Sequence, residues 1–257
     1  MRSISIHDAD RACSASLFCF SGNGMSRLVA DGLAGAGVGQ SRDGSFGFVF
    51  PVYGWRPPRM VARFVRDEFA ARLDGIKPDY VWAVMTCGFD VGYADAVLDK
   101  MLLPVLGRGL DAAFSVRMPD TYICLPGFRL NPPDLAEEKM RAAESLIPAI
   151  AARIQRRERV RDLKRGIFPR TKTYALGRFF DRFLVDDRFF RVTPGKCERC
   201  DACAENCPAG TIVRKDDGTV AWRHDGSCTG CLRCLHNCPA EAIEFGWFTK
   251  GKRRLRA

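Results

Sequence analysis

Residues 196–210 read KCERCDACAENCPAG, and residues 227–241 read SCTGCLRCLHNCPAE. Each stretch holds the run C-x2-C-x2-C-x3-C-P. Cys197, Cys200, Cys203, Cys207 and Pro208 form the first copy, and Cys228, Cys231, Cys234, Cys238 and Pro239 the second, with every cysteine displaced by 31 residues. Counted from Cys197 and from Cys228, eight of 16 positions are identical, which marks a duplication.

The spacing has a physical reason. Three thiols at intervals of three wrap a tight loop around one four-iron, four-sulfide cube, while backbone amides face its sulfides. The fourth cysteine, followed by a proline that starts a helix leading away, reaches the other cube. Two 4Fe-4S clusters with crossed ligand sets are therefore expected: Cys197, Cys200, Cys203 and Cys238 on one, and Cys228, Cys231, Cys234 and Cys207 on the other. Structural zinc also uses paired C-x2-C knuckles, but it seldom adds a third cysteine two residues on and a closing Cys-Pro, twice over. His224 and His236 lie nearby, yet the cysteines already complete both sets, so both histidines are read as surface residues or neighbours of the ligands. A domain this small has a thin apolar core, and the clusters would supply much of its folding energy.

Around this block the chain is ordinary globular protein. Its 257 residues allow one large or two modest domains, and 47% hydrophobic and 27% charged residues exclude a disordered chain. No run of about 18 apolar residues offers a membrane span. The opening Met1 to Asp10 carries Arg2, His7, Asp8 and Asp10 and lacks the layout of an export signal, so the expected compartment is the cytoplasm. There, twelve cysteines read as reduced thiols holding metal rather than as a disulfide scaffold. The net charge of +10 raises the question of nucleic acid, but no basic-plus-aromatic module accompanies it, and none is expected as a partner. Two clusters of about −2 each and a phosphate of about −2 would reduce it to about +4.

From Ser14 to Phe128 short apolar runs alternate with helical patterns. Ser16–Phe20, Phe46–Val52, Tyr80–Met85 and Ala112–Val116 read as strands; Ser26–Leu33, Arg59–Leu73 and Tyr93–Leu106 read as helices. Strand and helix in alternation imply a parallel sheet with helices on both faces, and the unbroken apolar runs imply strands buried on both sides. From Pro133 to Arg165 the pattern is helical, acidic early and basic late as the helix dipole favours. It reads as a connector whose arginine run is a solvated face. Phe179, Phe180, Phe183 and Leu184 then form an apolar stripe, either packed on the protein's own domains or touching a partner or membrane.

After the first strand comes Ser21-Gly22-Asn23-Gly24-Met25-Ser26, and then a helix. Glycines that allow close approach and free N–H groups at a helix start make a phosphate cradle, although neither a P-loop nor a G-x-G-x-x-G is present. Pro51-Val52-Tyr53-Gly54-Trp55 and Thr86-Cys87-Gly88-Phe89 follow the next two strands, on the edge where open α/β sheets bind ligands. Aromatic residues there suit a flat ring. These loops, with Met118-Pro119-Asp120-Thr121-Tyr122-Ile123 and Phe190-Arg191-Val192, resemble flavodoxin-like proteins fused to a C-terminal two-cluster ferredoxin, and the resemblance runs over nearly the whole chain.

The resemblance implies a flavodoxin-like doubly wound sheet in residues 1–130, a helical connector in 131–190 and a small α+β ferredoxin-like domain in 191–257. It also implies FMN, with its phosphate at Ser21, Gly22, Asn23, Gly24, Met25 and Ser26 and its ring against Pro51, Tyr53, Trp55, Thr86, Cys87 and Gly88. Three positions depart from the family pattern: Asn23 stands in place of threonine, Met25 in place of asparagine and Cys87 in place of tyrosine. The interval from Leu33 to Phe46 is too short for the usual long loop and outer strand, which puts the edge strand in question. Cys13, Cys19, Cys87 and Cys124 have no metal spacing; Cys87 is read as a steric substitution rather than a redox thiol.

The expected function is electron transfer between redox protein partners through two clusters coupled to FMN, with no catalytic acid or base. A flavin-dependent reductase of a small substrate, or a ferredoxin with a flavin-free docking domain, are the alternatives.

Overall fold

The computed structural model describes residues 12–14, 16–40 and 44–255, the side chains of 12–14 excepted. A six-stranded sheet runs in chain order: β1 (Ala12–Ser14), β2 (Leu17–Cys19), β3 (Ser45–Pro51), β4 (Tyr80–Cys87), β5 (Ala112–Arg117) and β6 (Arg161–Asp162). β2 to β6 are parallel, and β1 turns back antiparallel on β2. The edge beyond β2 is thus held by a short hairpin partner. Among the described residues there is no parallel outer strand and no reversal of strand order.

The sequence of β3 decides the two faces. Phe46, Phe48 and Phe50 alternate toward one side, where they join Phe18, Phe20, Val81 and Met85 beneath α2 (Arg59–Asp67), α3 (Phe69–Arg72) and α4 (Ala94–Leu106). Phe18, Phe48, Phe64 and Phe69 pack there with centroids 4.9 to 6.4 Å apart in tilted and edge-on pairs, the arrangement that ring quadrupoles favour. Val49 turns to the other side with Leu17, Cys19, Trp82 and Phe114, under α1 (Met25–Gly35) and α5 (Pro133–Gln155). Gly47 sits on that side because the Trp82 ring fills the space of any β-carbon. Every step moves the same way across the sheet while the connecting helices lie on opposite faces. The crossovers through α1 and α5 therefore have the opposite hand to those through α2 and α4, a departure from the usual uniform right-handedness.

The segment expected as a connector belongs to this sheet. Ala143, Ile147, Ile150, Ala151 and Ile154 of α5 are core residues, and after Gln155 the chain leaves the helix and adds β6 to the edge. The arginine run is largely exposed, as a solvated face would be, but most of it lies beyond the helix and its members are held in ion pairs. Arg157 pairs with Asp79, Arg159 with Asp111, Arg153 with Glu158 and Asp162, and Arg161 and Arg165 with Asp95. Asp95 is buried and accepts both nitrogens of Arg165 at 2.9 Å. Asp95→Ala should cost about 2 kcal/mol in denaturant unfolding, below the range for a fully buried pair because both guanidinium groups keep some solvent. The expected helix at Arg59–Leu73 is also divided, its turns broken at Glu68.

The cysteine block forms two small antiparallel ladders, Phe190–Val192 with Ile243–Phe245 and Ile212–Arg214 with Val220–Trp222, plus single-turn helices Ala202–Glu205 and Arg233–His236. Phe190 stacks on Trp222 at 5.3 Å. The loop after β5 is common to both halves: Ile123 and Cys124 are part of this second core, and Lys252 Nζ donates to the carbonyls of Ile123, Leu125 and Phe128. His236, expected at the surface or as a neighbour of the ligands, lies between Cys234 and Cys238 in sequence and is buried. Its Nε2 donates to Thr121 O at 2.8 Å and its Nδ1 accepts from Leu255 N–H at 3.2 Å. Burial lowers its pKa to about 4, so the ring is neutral and holds the two halves together.

Candidate iron-sulfur and ring-binding sites

The two copies of the repeat fold alike because the same positions take the left-handed backbone. Arg199 and Gly230, two residues after the first cysteine of each copy, have φ of 57° and 66°; Asp201 and Leu232, four after it, have φ of 56° and 61°. These turns curl each loop around its own centre. Three of these four are not glycine and carry some strain, which cavity-lining loops tolerate when their surroundings hold them. The equivalence of Asp201 and Leu232 was visible in the repeat alignment, but neither residue type signals a left-handed turn.

Two cavities result. One is lined by Cys197, Cys200, Cys203 and Cys238, the other by Cys207, Cys228, Cys231 and Cys234. Each wall thus takes three cysteines from one copy and the fourth from the other. Among the described residues no three His, Cys, Asp or Glu side chains converge at single-ion spacing. Backbone amides reach the sulfurs in matching places. Thr211 N donates to Cys207 Sγ at 3.4 Å, Ala242 N to Cys238 Sγ at 3.3 Å and Gly230 N to Cys228 Sγ at 3.5 Å. Such donors favour thiolate and tune a cluster's potential.

Residues 196–243 match the 4Fe-4S dicluster domain. The dicluster domain supports iron-sulfur electron transfer and implies redox partners. Compared with curated proteins, the chain matches none. No helix among the described residues is long and apolar enough to cross a membrane.

The dicluster domain meets the carboxyl edge of the sheet around a third cavity of about 390 Å³, within the range of small-molecule sites. Strand ends knit that edge: Phe20 N donates to Val49 O, Val52 N to Thr86 O and Met118 N to Cys87 O. Pro51 to Trp55 form one wall, Thr86 to Asp90 the second, Met118 to Tyr122 the third, and Gly230, Cys231 and Leu232 of the dicluster domain the fourth. Leu176, Phe179, Phe180 and Leu184 close the side. Of the twelve ring and phosphate residues expected from the sequence, Met25, Pro51, Tyr53, Trp55, Thr86, Cys87 and Gly88 line this cavity, whereas Ser21, Gly22, Asn23, Gly24 and Ser26 do not.

The phosphate end is closed by the protein itself. Ser21 Oγ accepts the Arg27 N–H, one of the free amides of the α1 start, at 3.3 Å. Ser26 and Thr86 hydroxyls pair at 2.7 Å, both buried. Over Gly22 stand the Tyr53 hydroxyl and Cys231, in the space a β-carbon would take. The Asn23 amide presents a buried end that no described residue satisfies. Among the described residues no lysine or arginine lines the cavity; its charged lining residues are Asp90 and Asp120, paired with Lys172 and Lys139. The walls are flat and largely apolar, and the loop expected as a phosphate cradle is engaged by the protein's own groups.

Two polar atoms remain. The Tyr122 hydroxyl and Asp90 Oδ1 are buried without a partner among the described residues. Tyr122 is wedged edge-on between Phe128 and Phe180 at 5.6 and 5.4 Å, and burial raises its pKa. Burial likewise pushes the Cys87 thiol up to about 12, so it stays protonated, in keeping with a steric role. The place of Tyr122 three residues after Pro119, on the loop that follows β5, is the sequence signal for this wall.

Proposed function

We propose that this chain transfers electrons between its two 4Fe-4S clusters and a redox-active ring compound in the 390 Å³ cavity. Cys231 carries the proposal, because it lines both the Cys207/Cys228/Cys234 cavity and the ring cavity. When bound, the clusters supply one-electron chemistry, held by Cys197, Cys200, Cys203 and Cys238 and by Cys228, Cys231, Cys234 and Cys207. The protein's part is burial and positioning. Tyr53, Trp55 and Tyr122 give flat walls, the Tyr122 hydroxyl offers a donor to a ring carbonyl, and Leu232 and Phe180 keep water from Cys231.

FMN is the second candidate for the occupant, favoured by the Tyr53/Trp55 and Thr86/Gly88 loops. Riboflavin and FMN share a ring and differ in the phosphate, so they separate the two. Titrated anaerobically into the cluster-loaded protein, riboflavin should bind at least as tightly as FMN. FMN binding tenfold tighter or more, about 1.4 kcal/mol, would restore the phosphate cradle; binding of neither would remove a flavin ring from the cavity.

A further inference from the structure

The mouth of the ring cavity is apolar to an unusual degree. Four of its lining residues, Phe89, Phe128, Leu176 and Phe179, are between 46% and 69% exposed, and Phe183, half exposed, packs on Phe179 at 4.9 Å. Ile167 and Phe168 add to the same segment at 73% and 76% exposure; Gly166 beside them abuts the Asp90 side chain on the cavity wall. Only Phe180 of the aromatic stripe turns inward, against Tyr122 and Gly54. Large side chains clustered around one opening mark a surface that water does not normally face.

The charge on this segment is one-sided. Residues 169–184 hold Arg170, Lys172, Arg178 and Arg182 against a single acid, Asp181. Asp181 is turned inward and paired with Arg56 at 2.7 Å, and Lys172 is taken by Asp90. Arg170, Arg178 and Arg182 are exposed and have no salt-bridge partner among the described residues. Exposed aromatic and leucine side chains flanked by free arginines are complementary to an anionic lipid surface: the apolar groups enter the acyl boundary and the guanidinium groups meet the headgroups. A second copy of this chain would bring the same positive charges face to face, which disfavours self-association through it.

We infer that the rim formed by Phe89, Phe128, Leu176, Phe179 and Phe183 docks on an anionic membrane surface, with the cavity mouth opening into the lipid. The membrane contact stands on the rim alone. The nature of the occupant rests on the proposed function: an uncharged, lipid-soluble ring compound with carbonyl acceptors for the Tyr122 hydroxyl, the quinone class, enters such a cavity without crossing water.

The test is co-sedimentation of the anaerobic, cluster-loaded protein with vesicles of phosphatidylcholine alone or mixed with phosphatidylglycerol. The protein should partition to the mixed vesicles and stay free of the neutral ones. Arg178→Glu with Arg182→Glu should lower partitioning about tenfold or more, and Phe179→Ser with Phe183→Ser about fivefold or more, with the cluster absorption of both variants reporting an intact fold. The charge variant alters only exposed positions, so it decides the matter if the aromatic variant fails to load clusters. Failure of the unaltered protein to bind mixed vesicles, or equal binding by the charge variant, overturns the docking face. None of these results depends on a ring compound, so none bears on the route from Cys231 to the cavity.

Discussion

Cys207→Ser is expected to empty the distant ligand set and spare the near one. Unaltered protein purified anaerobically should hold about eight iron and eight sulfide per chain, and the variant about half of that. The identity of the lost half comes from pairs of substitutions, since losses within one unit do not add. Cys207→Ser combined with Cys228→Ser should lose no more iron than either alone, because both belong to the cavity with Cys231 and Cys234. Cys207→Ser combined with Cys197→Ser should lose nearly all of it. The reverse pattern, additivity with Cys228 and none with Cys197, would mean that each copy of the repeat closes on itself. Stoichiometric zinc without labile sulfide would remove the clusters altogether.

The second large effect is expected at Gly22. A β-carbon there would stand 2.8 Å from Cys231 Cβ and closer still to the Tyr53 hydroxyl, so Gly22→Val should push the Gly230–Leu232 loop off the sheet edge. Overpacking of this kind costs about 1–3 kcal/mol, or about 5 °C in anaerobic melting for a chain of this size. The iron set containing Cys231 should be lost first on exposure to air. Gly24 is the control. It also lies in the first loop, at φ 86° with open space around its β-position, so Gly24→Ala should show only the backbone cost of about 1 kcal/mol. Equal effects at both positions would point to a shared anion cradle, as the sequence suggested, instead of a contact between the two halves.

Much of this architecture was legible in the sequence. The duplicated cysteine run predicts crossed ligand sets, because the Cys-Pro step leads the fourth thiol away from its loop, and the cavities group the cysteines in the same way. The four apolar runs gave β2 to β5 within about two residues, since strands buried on both faces leave an unbroken signal. The failures share one cause, that partners distant in sequence decide what a local pattern does. The Arg153–Arg165 run is largely exposed, as its composition suggests, but its ion pairs are not legible because Asp79, Asp95 and Asp111, which complete them, sit on other elements. The Ser21–Ser26 loop has the composition of a phosphate cradle, but Thr86, Tyr53 and Cys231 occupy it from three other loops. His236 adjoins the cysteines Cys234 and Cys238 in sequence, but its two hydrogen bonds run to Thr121 and Leu255, which no local pattern shows.

Oxidation of the reduced, cluster-loaded protein by menadione tests most directly whether electrons leave through the ring cavity. Each menadione takes two electrons, one from each cluster, and two protons from water. Leu184→Trp should fill part of the cavity from its side wall and leave the cysteine loops untouched. Re-oxidation by menadione should then slow about tenfold or more, while re-oxidation by ferricyanide, which needs no cavity, keeps its rate. An unchanged menadione rate in this variant, with its clusters intact, would contradict the account, since electrons would then leave the clusters without passing the wall at Cys231.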